Sequence, residues 1–364
     1  MLVFGVIVLI IVVFIYFFMH SARFGALPSG ESLQKILASP HYHDGQFQNL
    51  SNTPQLTEGA SFFGILKKFF FDKSEQRVPP APLPAVKTDL LNLDKNKNIL
   101  VWFGHSSYFM QIDGRTFLVD PVFSGNASPL RFTTKSFKGT DIYTVPDFPA
   151  IDYLIISHDH WDHLDYRTVL QLKSKVNMVI TGLGTAAHLI SWGYDKNKID
   201  ERDWNEQIML EDGFIINTTP ARHFSGRGLK RNRSIWLSFV LMTPSKKIFM
   251  GGDSGYDYHF ADIGNRFGPF DLAILEDGQY NRYWKYIHMN PEETVQAALD
   301  LRAHKLLPVH WGKFSLSIHS WDEPIIRIKK EAERRNLKLL HPMIGEMIDL
   351  DTDQVFSSWW ERIS

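Results

Sequence analysis

Apolar residues open the chain as one run, Leu2 to Met19, and then break into short pieces punctuated by Gly, Pro, Ser and Asn up to about Val86. The run sits at the lower edge of the length that spans a membrane. No charge precedes it, and His20-Ser21-Ala22-Arg23-Phe24 offers no cleavage pattern, so it reads as an uncleaved anchor rather than a secretory signal. The expectation is a single-pass protein of the cell membrane, held by an N-terminal transmembrane helix over residues 1–20. Arg23 and Lys35 on the C-terminal flank lean toward a cytoplasmic catalytic domain.

Residues 21–90 read as an irregular extension. Within it, Phe62 to Phe71 is an apolar piece carrying Lys67 and Lys68, with Lys73 beyond. It is better read as a docked helix than as an interfacial one. His41 and His43 have metal-like spacing but no further donors nearby. Pro79-Pro80-Ala81-Pro82-Leu83-Pro84 is stiff and extended, a connector into the unit spanning 91–364.

From Asn98 the pattern changes to strands alternating with helices, the signature of an α/β domain. Ile99 to Phe103 and Tyr108 to Ile112 flank a turn at Gly104-His105-Ser106-Ser107. Asp113-Gly114 then makes a hairpin into Thr116 to Val119, which ends at Asp120-Pro121. Tyr153 to Ile156 is a further strand. Ile215 to Thr219, Ile248 to Met250, Leu272 to Leu275 and Leu306 to Val309 follow, each ending in a polar tip.

Composition narrows the chemistry. Hydrophobic content is 44% and charged content 22%, the proportions of an ordinary globular protein. Lys+Arg 39 against Asp+Glu 40 gives no global attraction to nucleic acid. With Cys 0 there is no thiolate metal site, disulfide or cysteine nucleophile, so any metal must be held by nitrogen and oxygen. Zinc suits such donors, as do manganese and iron.

The tips supply those donors. Ser157-His158-Asp159-His160-Trp161-Asp162-His163 follows a strand and places His158 and His160 toward one cation, with Asp162 and His163 diverging toward a second. A single histidine after a strand is usually a turn residue; here the count is what points to metal. His223 would complete a three-histidine site with His158 and His160, His310 would join Asp162 and His163, and Asp253 could bridge both.

The order His158, His160, Asp162, His163, His223, Asp253, His310 resembles that of metallo-β-lactamase-fold hydrolases. Gly104 to Ser107, Asp120-Pro121, Gly252-Asp253-Ser254-Gly255, Arg266 to Ala273 and His310-Trp311-Gly312-Lys313-Phe314 narrow the resemblance. They are similar to the branch of the N-acyl-phosphatidylethanolamine-hydrolysing phospholipase D and its bacterial relatives, near the ascorbate-phosphate lactonase type. The similarity runs from about residue 95 to 345. It implies an αββα sandwich, two zinc ions, hydrolysis by a metal-bridging hydroxide and a homodimer. Two stretches depart from the phospholipase: Glu276 to Asn281 is more acidic, and the segment after His223 is shaped differently.

Asp162, Asp253 and His288 are the candidate catalytic residues. The resemblance places His288 near the metals as a proton donor to the leaving group. Asn290, Pro291 and Glu293 form a helix start that fixes it. Arg222, Arg227 and Tyr280 are the candidate substrate residues, the arginines belonging to a glycine-containing cationic loop. His105 and Asp165 read as groups that orient ligands. His188, His259, His304, His319 and His341 read as structural. The expected substrate is N-acyl phosphatidylethanolamine or a related phospholipid, cut as a phosphodiester. A lactone or small phosphate ester is the enzymatic alternative, and a non-catalytic binding protein on the same fold is the other.

Overall fold

The computed structural model describes residues 2–71 and 75–363, so Lys73 lies outside the described residues. Two seven-stranded mixed sheets face each other. In the first, Met347–Asp349, Ile99–Trp102, Tyr108–Ile112 and Arg115–Val119 pair antiparallel, and Ile151–Ile156, Val176–Gly182 and Ile199–Arg202 continue it in parallel. In the second, Lys338–Leu339, Lys305–Val309, Leu272–Glu276 and Lys247–Met250 are parallel, and Leu237–Met242, Ile215–Pro220 and Gln207–Met209 complete it antiparallel.

Side-chain alternation builds the layers. Leu100, Trp102, Met110, Phe117 and Ile155 of the first sheet pack with Ile216, Phe239, Phe249 and Ile274 of the second in one core. The alternate residues Val101, Phe109, Leu118 and Leu154 turn outward, where Leu164, Val169 and Leu172 cover them. The helices His259–Phe267, Pro291–Asp300 and Glu323–Arg334 contribute Phe260, Val295, Ala298, Ile325 and Ile328 from the far side. The αββα sandwich expected from the resemblance is therefore present. The eight strands read from the apolar runs are all present, their ends differing by a residue or two at most, while Val176–Gly182, Ile199–Arg202, Gln207–Met209, Leu237–Met242, Lys338–Leu339 and Met347–Asp349 were not read from the sequence.

The N-terminal anchor is a correction. Leu2–Met19 does form a helix, α1, but among the described residues no helix is long and apolar enough to cross a membrane. The single-pass membrane localisation falls with it, as does the cytoplasmic placement of the domain.

The extension is not a loose connector either. It holds α2 (Gly30–Ala38), a short hairpin Tyr42–His43/Gln46–Phe47 and α3 (Phe62–Phe71). It is tied along its length to the sandwich: Arg23 donates to the Pro129 carbonyl at 2.7 Å, Ser39 to Asp203 at 2.5 Å, and the Thr57 amide to the Tyr283 carbonyl at 2.7 Å. His41 packs on Trp204 and His43 bonds the Pro40 carbonyl, so this pair has structural work and no share in a donor cluster.

Candidate metal centre

Where Ile151–Ile156 ends, the Ser157 amide and hydroxyl donate to Asp120 at 2.8 and 2.6 Å, which turns the chain sharply. The amides of His163 and Leu164 both donate to the His160 carbonyl, closing a tight turn. His158 and His160 thereby face one way and His163 another. Nε2 of His158 lies 2.8 Å from Nδ1 of His160, which lies 3.2 Å from Nε2 of His223. On the other side, Nε2 of His163 is 3.2 Å from Asp253 Oδ2 and 3.5 Å from Asp162 Oδ2. Nδ1 of His310 is 3.2 Å from Asp253 Oδ1. Asp253 Oδ2 also stands 3.6 Å from His223 Nε2 and 3.9 Å from His158 Nε2, so this carboxylate lies between the two groups. All seven residues expected to bind metal are thus brought together.

The chemistry of the donors fits divalent cations. Three imidazole nitrogens converging without a proton between them repel, unless a positive ion accepts their lone pairs. Burial, reinforced by the neighbouring His223 imidazole, pushes His160 down to about 3, and burial pushes His223 down to about 4. Both are therefore neutral donors at physiological pH. Burial by itself would raise the Asp253 carboxyl, but the His163 and His310 imidazoles outweigh it and hold it well below the carboxylate range. Nε2 of His163 and Oδ1 of Asp253 are buried with no hydrogen-bond partner, which is costly unless a ligand satisfies them.

Residues outside the expected set of ligands and orienting groups hold this arrangement. Asp120 Oδ2 takes His163 Nδ1 at 2.8 Å, so the carboxylate closing the hairpin strand orients a candidate ligand. Its one sequence signal was the Asp-Pro pair at a strand end. Asn49, in the extension, brackets the His223 backbone, donating to its carbonyl at 2.8 Å and accepting from its amide at 3.0 Å. Nδ1 of His223 donates to the Ile287 carbonyl at 2.9 Å, which leaves Nε2 as the donor toward metal. Glu276 is wholly buried; it accepts from the Met289 amide at 2.7 Å and shares a 2.7 Å hydrogen bond with His288 Nδ1. Removing an orienting partner of this kind typically costs about 10–100-fold in metal affinity. Asp120→Ala should therefore weaken metal binding by about that factor in a competition titration with a chromogenic chelator. An unchanged affinity would show that His163 needs no such support.

The other assignments divide. His105 lies 2.9 Å from Asp162 through Nε2 and packs on His310, as an orienting residue should. His288 stacks on His310 with ring centroids 5.2 Å apart and meets His223 edge-on at 5.0 Å. Asp165 is a correction: its carboxylate caps the short helix Tyr166–Leu172 through the Arg167 amide and accepts from Ser124 and Thr168, and no candidate ligand is among its partners.

The cations chosen for substrate are also corrected. Arg222 is committed to Thr53, Asn52 and the Tyr256 carbonyl. Arg227 is buried over Trp161, with its donors on the carbonyls of Asp159, Leu164 and Arg23. Tyr280 donates to Glu323 at 2.7 Å and lines a second cavity beside the one over the cluster. A guanidinium saturated by carbonyls serves the loop it braces, and single-sequence reading sees only its charge. Arg231 is the cation that reaches the cavity over the cluster.

That cavity has a volume of about 570 Å³ and is floored by His160, Asp162, His223, Asp253, His288 and His310. Its walls are mainly apolar, with Phe62, Ile65, Leu66 and Phe69 from α3 and Phe224, Trp284, Ile287 and Leu316 beside the polar Gln55, Gln279 and Arg231. The extension therefore builds about half of the apolar wall.

A sandwich of two mixed sheets, carrying a buried histidine and aspartate cluster at its strand ends beneath an open cavity, defines the class of metal-dependent hydrolases. The chain belongs to the beta-lactamase superfamily: residues 115–311 match the family described as "Beta-lactamase superfamily domain". Over 88% of this chain and 87% of the relative, it is 37% identical to an uncharacterised protein of Mycobacterium tuberculosis. It is 30% identical to the N-acyl-phosphatidylethanolamine-hydrolyzing phospholipase D 1 of Caenorhabditis elegans, over 83% of this chain and 87% of that protein. Its fold is like that of a metallo hydrolase from Ignicoccus hospitalis, with a TM-score of 0.54 and 21% identity over 69% of this chain and 97% of that one.

Proposed function

We propose that this hydrolase is a phosphodiesterase of phospholipase D type acting on a phospholipid, with two zinc ions held by His158, His160, His223, Asp162, His163 and His310 and shared through Asp253. The observation that carries the reading is the apolar cavity of about 570 Å³ standing directly on the donor cluster. A small polar ester or lactone has no use for walls of Phe, Ile, Leu and Trp, whereas acyl chains gain about 25 cal/mol for each Å² of apolar surface they bury there. The kinship to a phospholipase D of Caenorhabditis elegans supports the same substrate class.

Divalent cations at such a cluster supply Lewis acidity and a nucleophilic water at neutral pH. The protein's own groups do the rest. Apolar walls exclude bulk water and align the lipid, so that one face of the phosphate meets the cluster. His288, held by Glu276, stands at the floor beside His223 and His310, where its Nε2 can pass a proton to the departing alkoxide.

The test is hydrolysis of bis(4-nitrophenyl) phosphate, phospholipids and lactones by zinc-loaded and chelator-treated protein. Phosphodiesters should be cut, chelation should abolish turnover, and added zinc should restore it. Lactone cleavage without phosphodiester cleavage would favour the small-molecule alternative, and no turnover with full metal occupancy would favour a binding protein.

A further inference from the structure

Beside the apolar pocket lies a second cavity of about 510 Å³. The two share a single lining residue, His288, the histidine held by Glu276 at the floor of the first. Their linings differ in kind: beside Tyr280 and Ile318, the second carries Asn281, Lys285, Asn290, Glu293 and Arg327, and no phenylalanine or leucine contributes to it.

Part of its charge is already neutralised. Arg327 pairs with Glu323 at 2.7 Å and with Glu292 at 2.5 Å, and Glu293 accepts from the Asn290 amide at 3.1 Å. Asn281 gives its side-chain oxygen to the Tyr283 amide at 3.1 Å, and its amide nitrogen has no hydrogen-bond partner among the described residues. The ammonium group of Lys285 lies over the Tyr286 ring and pairs with no carboxylate among the described residues. What remains among the described residues is two unpaired donors, the Asn281 amide nitrogen and the Lys285 ammonium, beside the Glu293 carboxylate, while the Asn290 side-chain oxygen already accepts from the Glu293 amide at 3.0 Å.

We propose that this second cavity is the subsite of the leaving alcohol, and that the natural substrate carries a short polar head group with a free amine or hydroxyls rather than an N-acylated one. The inference rests on the phosphodiesterase reading and names the substrate class within it. A phosphodiester over the cluster has two substituents. The diacylglycerol side belongs in the apolar pocket, and the other side points past His288 into the polar cavity. In hydrolysis the phosphorus–oxygen bond to the head alcohol breaks and one to the oxygen of water forms. The proton released from water ends on the departing alkoxide, beside His288. An acyl chain on the head group would strip water from Asn281, Lys285 and Asn290 and return no hydrogen bond, which is unfavourable for each group left unpaired. A free ammonium meets the Glu293 carboxylate and a hydroxyl meets the Asn281 amide and the Lys285 ammonium instead.

The experiment compares dihexanoyl phosphatidylethanolamine with its N-hexanoyl derivative on the zinc-loaded full chain, by calorimetric binding and by turnover. The free-amine lipid should bind more tightly and show a kcat/KM about tenfold higher, the equivalent of one polar contact left unmade. Asn281→Leu should bring the two lipids toward parity, through KM and dissociation constant rather than kcat. Lys285→Leu provides an independent second variant of the same wall. Equal or better binding and turnover of the N-acyl lipid, or an unchanged ratio in both variants, would overturn the assignment. Hydrolysis of bis(4-nitrophenyl) phosphate by the unmodified protein separates the two ways of failing. If it is cut and neither lipid binds, the head-group assignment falls alone; if it is not cut, the phosphodiesterase reading falls and the assignment with it.

Discussion

An Asp253→Asn protein should fold, carry less than its full complement of metal, and lose about three orders of magnitude in phosphodiester turnover, a loss of ~4 kcal/mol in transition-state stabilisation. The side chain is 3% exposed and lies within 3.2 Å of nitrogens on both His163 and His310. Asparagine has the same shape, so packing survives. It removes the negative charge that lies between the two donor groups, and it turns an NH₂ group toward one side of a cluster that needs only acceptors. Metal content by mass spectrometry under native conditions, read beside the rate, would check this. A variant with full metal and wild-type turnover would show that Asp253 is not shared between two ions.

Gly278→Ala should have the second largest effect, although the residue touches no donor atom. A Cβ at Gly278 would collide with the backbone carbonyl of His310 and press on the Trp311 side chain. Neither chain can yield easily. Leu272–Glu276 and Lys305–Val309 are parallel neighbours, and the Asp277 amide donates to the Val309 carbonyl at 2.8 Å just before the contact. Overpacking of this kind costs ~1–3 kcal/mol in stability. The activity should fall further, because a displacement of about 1 Å at a positioned group costs about 100-fold. A melting curve and a metal titration on the same preparation would separate the two losses. If both matched the unmodified protein, the close approach of these two loops would be unimportant to His310.

The eight strands that lead into candidate donors or the hairpin, and the donors themselves, were legible because those strands are short apolar runs and the donors cluster just after them; strands such as Ile199–Arg202, polar at three of four positions, carry no such signal. The tight turn over His158 to His163 is likewise a local object, with its amides on the His160 carbonyl. Asp120 was readable only as a strand-ending carboxylate; that it bonds His163 depends on Arg115–Val119 and Ile151–Ile156 being adjacent and parallel. Arg227 and Arg222 misled for the same reason in reverse. Their charge is visible in the chain, but the carbonyls that saturate them come from residues far away in sequence, such as Arg23 and Asn52. The apolar run at the N-terminus is a further case, in which composition suggested a span, whereas among the described residues no helix is long and apolar enough to cross a membrane.

By itself, the sequence determined an α/β pattern with eight of its strands, the absence of thiolate chemistry and the seven candidate donors, since periodicity, composition and motif spacing are properties of neighbouring residues; the αββα layering came from the family resemblance. Only the tertiary structure decided that Asp253 lies between the two donor groups, that Asn49 and α3 of the extension belong to the site, and that a polar cavity adjoins the apolar one at His288. These depend on contacts between segments far apart in the chain, such as that of Asn49 with His223. Such contacts exist only once the two sheets have closed on each other and set which loops share the rim.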